Sequence, residues 1–189
     1  MDEIVLLGIN HKTAPIELRE CLAFSNEETL AALETFKASP AISEVMVIST
    51  CNRVEILLAT GNKTKAAETA KMYLSASKKL PVTKFEQALY THRGDEAVRH
   101  IFKVAASLDS MMVGEPQILG QIKEAYNIAT LQKTSGVLLN RLLHRAFFVA
   151  KRVRSETGIG DHAVSISYAA IELGKKIFEI GRASCRERV

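Results

Sequence analysis

Glu44-Val45-Met46-Val47-Ile48-Ser49-Thr50-Cys51-Asn52-Arg53-Val54-Glu55-Ile56-Leu57-Leu58 is the stretch whose reading decides the fold. Its first five residues are β-branched and apolar enough for a buried strand, and Val54, Ile56 and Leu58 alternate as a second strand would. Ser49-Thr50-Cys51-Asn52-Arg53 between them is a tight polar turn. A Cys placed there, at the accessible end of two stiff strands with a hydroxyl, an amide and a guanidinium beside it, has what a nucleophile needs. The competing reading is a small buried Cys ending a strand, because free cysteine is among the most buried residue types.

Working outward from the turn, Ile4-Val5-Leu6-Leu7-Gly8-Ile9 is a first strand, followed by a polar loop, His11 to Ala14, closed by Pro15. Cys21, within Arg19-Glu20-Cys21-Leu22-Ala23-Phe24, reads as core on the approach to the first helix. Ser25 with Glu28 forms a capping box, and Leu30, Leu33 and Phe36 recur at helical spacing. Past the central stretch, Gly61-Asn62 opens a helix over Lys63 to Lys78 with Ala66, Ala67, Ala70 and Leu74 inward. Ala88-Leu89-Tyr90-Thr91 is a short fourth strand. The fold class expected is therefore α+β, a ferredoxin-like βαββαβ sandwich with an antiparallel sheet, followed by a helical subdomain.

The helical part begins beyond Gly94. Val98, Ile101, Phe102 and Ala105 share one face of a helix capped near Asp95, with His100 projecting away from that stripe as a surface or cleft residue. Ser110 to Gln117 interrupts the helices, and a further helix runs from about Gln117 to Lys133 with Pro116 near its first turn. Leu138 to Glu156 is strongly amphipathic, with Leu138, Leu139, Leu142, Leu143, Ala146, Ala150 and Val153 opposite Arg141, His144, Arg145, Lys151, Arg152 and Arg154. That basic half reads either as a solvated face or as a phosphate-binding one. Gly158-Ile159-Gly160-Asp161-His162-Ala163 fits a dinucleotide fingerprint in letters only, because it follows a helix where the motif needs a strand. It reads as a helix stop before a last helix, Val164 to Phe178.

The whole chain has 189 residues, 47% of them hydrophobic, which is enough for one sizeable core and a helical appendage. Its net charge of +4 falls to +2 without the last nine residues, which hold three Arg and one Glu, so global charge alone identifies no partner. No run approaches membrane-spanning length, and Met1-Asp2-Glu3 lacks the basic start of a signal peptide, so a soluble, cytoplasmic protein is expected. Three Cys, at 21, 51 and 185, form no CxxC pair, which argues against a disulfide framework and a zinc site. The expected organisation is a catalytic unit over 1–157, a linker helix over 158–180, and an appended expression tail over 181–189.

Three stretches together resemble one known family. Gly8-Ile9-Asn10-His11-Lys12-Thr13-Ala14-Pro15, the Ser49 to Glu55 turn, and Ser107-Leu108-Asp109-Ser110 running into Val113-Gly114-Glu115-Pro116-Gln117-Ile118-Leu119-Gly120-Gln121-Ile122-Lys123 are similar to glutamyl-tRNA reductase, over residues 3 to 180 and in order. The resemblance implies that Cys51 is the nucleophile and His100 an activity-supporting histidine. It also implies a substrate pocket of Thr50, Asn52, Arg53, Ser110, Glu115, Pro116, Gln117 and Gln121, with Arg53 as a fork for the glutamyl carboxylate. The reaction implied is thioester formation from glutamyl-tRNA and hydride reduction by NADPH to glutamate-1-semialdehyde, at the start of tetrapyrrole (porphyrin) synthesis, with no metal. A thiol is mostly protonated at neutral pH, so a neighbouring cation that favours the anion raises its reactive fraction. The family continues into an NADPH-binding Rossmann domain and a dimerisation domain, implying a homodimer and contact with the next enzyme of the pathway. Two other classes stay open from the residues alone: a cysteine-dependent acyltransferase or hydrolase, and a noncatalytic RNA-binding module using the basic helix.

Overall fold

A computed structural model of the chain describes residues 2–159 and Leu173. The strand pair around Cys51 forms as its residue pattern dictates: β2 (Glu44–Ser49) and β3 (Arg53–Thr60) are antiparallel, with Ser49 opposite Val54. β1 (Glu3–Asn10) lies antiparallel on the other side of β3, and β4 (Tyr90–Arg93) pairs with β1, giving the order β2-β3-β1-β4. The fourth strand thus begins two residues later than the apolar run suggested.

Four helices intervene before or follow within this frame. α1 (Ile16–Leu22) and α2 (Asn26–Lys37) connect β1 to β2, α3 (Lys63–Lys78) leads from β3 toward β4, and α4 (Asp95–Ala105) follows β4. The expected caps are present: the Ser25 and Glu28 side chains bond each other's backbone amides, and the Asn62 side chain accepts from Lys65 N. The sequence reading missed α1, because it is only seven residues long and starts directly after Pro15. Winding this segment into a helix turns Cys21 outward, so Cys21 is exposed and not core. Leu30, also expected inside, is exposed on α2, while Thr29 is buried there.

Two further helices, α5 (Gln117–Leu131) and α6 (Val137–Thr157), complete the description. They pack with α4 against the second face of the sheet. Val5, Leu7, Val45, Val47, Val54, Ile56 and Leu58 face α2 and α3. Their neighbours in sequence, Ile4, Leu6, Met46, Ile48, Leu57 and Ala59, face α4, α5 and α6. The sheet is therefore the middle of three layers, which explains why its strands are apolar on both faces. The helical part shares a core with the sheet instead of standing apart.

Glu44 fixes α6 to the sheet edge: its two carboxylate oxygens accept from Gly136 N, Leu138 N and Leu139 N at 2.8–3.0 Å. A carboxylate there satisfies amides that a helix start leaves unpaired and matches the positive end of the helix dipole. α6 stops at Gly158, which takes a left-handed conformation with φ 61°. The expected last helix and tail lie outside the described residues, Leu173 excepted.

Candidate active site

The turn carrying Cys51 is held by its neighbours' polar groups. Thr50 N donates to Arg53 O at 2.8 Å, and the Thr50 hydroxyl accepts from Asn52 N at 3.2 Å and Arg53 N at 3.1 Å. His11 N donates to Asn52 O at 2.9 Å, tying the loop after β1 to the same turn. Cys51 itself is exposed at the tip. The Arg19 guanidinium donates to the Cys51 carbonyl and, at 3.3 Å, to Asn52 Oδ1. The residue pattern gave Arg19 no role at the site; the winding of α1 brings it here.

Arg53 is arranged differently from the open fork expected of it. Its side chain is 1% exposed, Nη1 donates to Glu55 Oε1 at 2.8 Å, and Nη2 donates to the backbone and side chain of Asp109. Lys12 pairs with the other Asp109 oxygen. Glu55 is fully buried, and the same Oε1 also accepts from the Tyr90 hydroxyl and lies 2.7 Å from His100 Nε2. Glu55 Oε2 has no partner among the described residues.

This network exists because alternate residues of β3 point to one face: Arg53 and Glu55 continue the row of Leu57 and Ala59 toward the Cys51 end. Gly8 lies opposite Glu55 on β1 and Tyr90 opposite Gly8 on β4. A Cβ on Gly8 would sit 2.6 Å from Val54 O and 2.7 Å from Glu55 Cγ, so glycine is what admits the carboxylate. Burial alone would raise the Glu55 pKa, but the His100 hydrogen bond and the Arg53 charge outweigh it and hold the carboxyl below its ordinary range. With Glu55 ionised, its oxygen accepts and His100 Nε2 is the protonated ring nitrogen. Burial and the Glu55 charge push the Tyr90 phenol well up, keeping it a donor. Asp109 is also held low: burial opposes this, and Lys12 and Arg53 overcome it. His11 and His92 are lowered, first by burial, then by the Arg53 charge for His11 and by the His100 charge for His92.

The profile of the family described as glutamyl-tRNAGlu reductase, N-terminal domain, matches residues 7–157. The chain belongs to the glutamyl-tRNA reductase family. It is 57% identical over 176 residues to the glutamyl-tRNA reductase of Desulfatibacillum aliphaticivorans, covering 93% of this chain and 41% of that protein. The reductase of Syntrophotalea carbinolica is 51% identical over 174 residues, covering 92% of this chain and 39% of its own length. The solved glutamyl-tRNA reductase from Methanopyrus kandleri superimposes with a TM-score of 0.69 at 37% identity, over 93% of this chain and 40% of that one. This chain thus spans about two-fifths of the length of the reductases it matches.

The other residues that the likeness to the reductases singles out fall into two groups. Thr50, Asn52 and Arg53 form the Cys51 turn, and the Arg53–Asp109 contact joins that turn to the loop carrying Ser110. The loop closes on itself, as Ser107 at φ 61° donates to Glu115 O at 2.6 Å and Gly114 N donates to Ser107 O at 3.0 Å. Ser110 Oγ is buried there and unbonded among the described residues. Pro116 and Gln117 are exposed at the start of α5, while Gln121, one turn on, lines a small cleft of about 170 Å³ with Phe24, Thr29 and Ser49. His100 faces inward to Glu55 with 10% of its side chain exposed, contrary to the expected outward projection, and its outer side borders an open cleft of about 380 Å³ with His92, Glu96, Arg99 and Lys103. Glu55 and Tyr90 were missed as site residues. A carboxylate inside an apolar strand, Val54-Glu55-Ile56, was the available signal, since such a group is buried only with partners.

Proposed function

We propose that this chain is the thiol-acylating part of a glutamyl-tRNA reductase, in which Cys51 takes the glutamyl group from glutamyl-tRNA. The single observation that carries the reading is an exposed Cys51, held at the tip of a hydrogen-bonded turn in a chain of this family. The thiolate Sγ attacks the ester carbonyl, the new C–S bond forms, and the C–O bond breaks, so the terminal ribose hydroxyl of the tRNA leaves with a proton. His100, oriented by Glu55, is the group we assign to support this proton movement. Thr50, Asn52, Ser110, Glu115, Pro116, Gln117 and Gln121 form the pocket wall. Arg53 binds the glutamyl carboxylate by exchanging its Asp109 contact for it, which Lys12 permits by retaining Asp109.

The NADPH that a reductase uses supplies hydride for reduction of the acyl group to an aldehyde, and we assign the activity to the cytoplasm at the head of tetrapyrrole synthesis. Gly158 ends α6, where a dinucleotide fingerprint needs a preceding strand, which supports reading Gly158-Ile159-Gly160 as a helix stop and not as an NADPH cradle. We assign cofactor binding and dimerisation to the part of the related reductases that this chain does not span, and residues 1–157 to the catalytic unit. The βαββαβ order with strands arranged β2-β3-β1-β4 supports a ferredoxin-like reading of the sheet layer.

Intact-mass measurement after incubation with glutamyl-tRNA tests the reading. A gain of one glutamyl group that maps to Cys51 and is lost in Cys51→Ser is expected; the same adduct on Cys51→Ser rules out Cys51 as the nucleophile.

A further inference from the structure

We infer that the outer face of α6 is the RNA contact of this chain, a rail for phosphates of the same tRNA whose charged end enters the Cys51 site. The inference rests on the acylation reading above and names the surface that reading leaves unassigned. α6 carries five cations, Arg141, Arg145, Lys151, Arg152 and Arg154, against one anion, Glu156. Elsewhere in residues 2–159, fifteen Lys and Arg are matched by sixteen Asp and Glu. The positive charge of the described chain is therefore concentrated on one helix, a footprint that global charge conceals.

The arrangement is a stripe with an aromatic in it. Arg141, Arg145, Phe148 and Arg152 recur at helical spacing along roughly 16 Å of axis, and all four are exposed. Phe148 is 54% exposed, and the Arg152 guanidinium lies 6.0 Å from its ring centroid, held there by two bonds to Glu156 at 2.7 and 3.0 Å. An exposed ring among cations is suited to stacking on a base or ribose while its neighbours take phosphates. The opposite face of α6 is fully used, with Leu139, Leu142, Leu143, Ala146 and Ala150 buried.

A helix face selected only for solubility interleaves acids and bases at i, i+4, where each pair adds stability. Here Arg152–Glu156 is the one such ion pair on α6 among the described residues, and Arg141–Arg145 sets like charges one turn apart at a cost. The stripe also leads to the site. Arg154 Nη2 donates to Gly114 O at 2.9 Å, so the C-terminal end of α6 grips the loop that carries Ser110 and Glu115.

The test uses the full chain with Arg141, Arg145 and Lys151 all changed to Gln, and a companion with Arg141→Lys and Arg145→Lys. Anisotropy of labelled, uncharged tRNA should show affinity falling about a hundredfold at 0.1 M salt, and the log–log salt slope shrinking by about 2. The Lys companion should stay within about threefold, because phosphate neutralisation needs only charge. Acylation of Cys51 by 3′-glutamyl-adenosine should be unchanged in the Gln variant while acylation by glutamyl-tRNA drops. Unchanged tRNA affinity and slope in a variant with a wild-type melt would overturn the inference. So would retained tRNA binding with lost binding to polyglutamate, which assigns the face to an acidic protein. Failure of the wild-type chain to acylate from either donor would instead sink the acylation reading, and the anisotropy would still decide the rail.

Discussion

The two faces of the sheet are made from alternate residues of the same strands, yet only one of them carries a buried ion pair. On the α2–α3 face, Val54, Ile56 and Leu58 meet Val5, Leu7 and Ile9 without a polar interruption. On the α4–α6 face, Leu57 and Ala59 begin the same kind of row, but Glu55 and Arg53 finish it with a buried ion pair that Tyr90, His100 and Asp109 complete. Both faces carry an extensive apolar core. The second gives up hydrophobic contact near Cys51 for oriented charge, and a partly satisfied network is costly to disturb because each remaining group is stranded away from water.

The sharpest way to break this contrast is Glu55→Ala, which strands the Arg53 charge in a site that is 1% exposed. We expect a loss of about 3–5 kcal/mol in urea unfolding; a loss below about 1 kcal/mol would mean that Asp109 alone satisfies Arg53. The same network predicts an acid limb. Glu55 and Asp109 are both held below their ordinary range when folded, so the unfolded chain binds more protons near pH 4. The stability they contribute is full above their unfolded values and drains as pH falls through the lowered folded ones, and the Glu55→Ala variant should show a shallower decline.

Gly8→Ala tests the same face more gently, since its added Cβ meets Val54 O and Glu55 Cγ inside contact distance. We expect about 1–3 kcal/mol of destabilisation together with a displaced His100 resonance in NMR spectra. Wild-type stability and an unmoved His100 signal would show that Glu55 has room to shift. On the apolar face the smallest effect is expected from Ser25→Ala, which removes one half of the α2 capping box at about 1 kcal/mol. The part of its acid decline that Glu55 and Asp109 cause should persist, because Ser25 has no part in that network.

Sequence was most informative where a rule is local. The strands around Cys51, the Ser25 and Asn62 caps and the amphipathic span of α6 follow from period and capping chemistry within a few residues. The Cys51 turn was legible for the same reason, whereas the exposure of Cys51 was settled only by the fold. Glu55, Tyr90 and Arg19 were not, because they meet the site only after β1, β3, β4 and α1 have come together from distant parts of the chain. Arg53 shows the limit from the other side: its place in the motif was plain, but its commitment to Glu55 and Asp109 depends on residues two and fifty-six positions away.

The hydrogen bonds of the Cys51 turn come from Thr50, Arg53, Asn52, His11 and Arg19, and none uses the side chain at position 51. Architecture and reactivity are thereby uncoupled at that single residue, like a socket that accepts different tools. A selenol or a hydroxyl installed there inherits the same position at the tip of the turn. Drift at position 51 leaves a chain that folds and melts as before, so a copy changed there would escape every quality-control step that senses only unfolding.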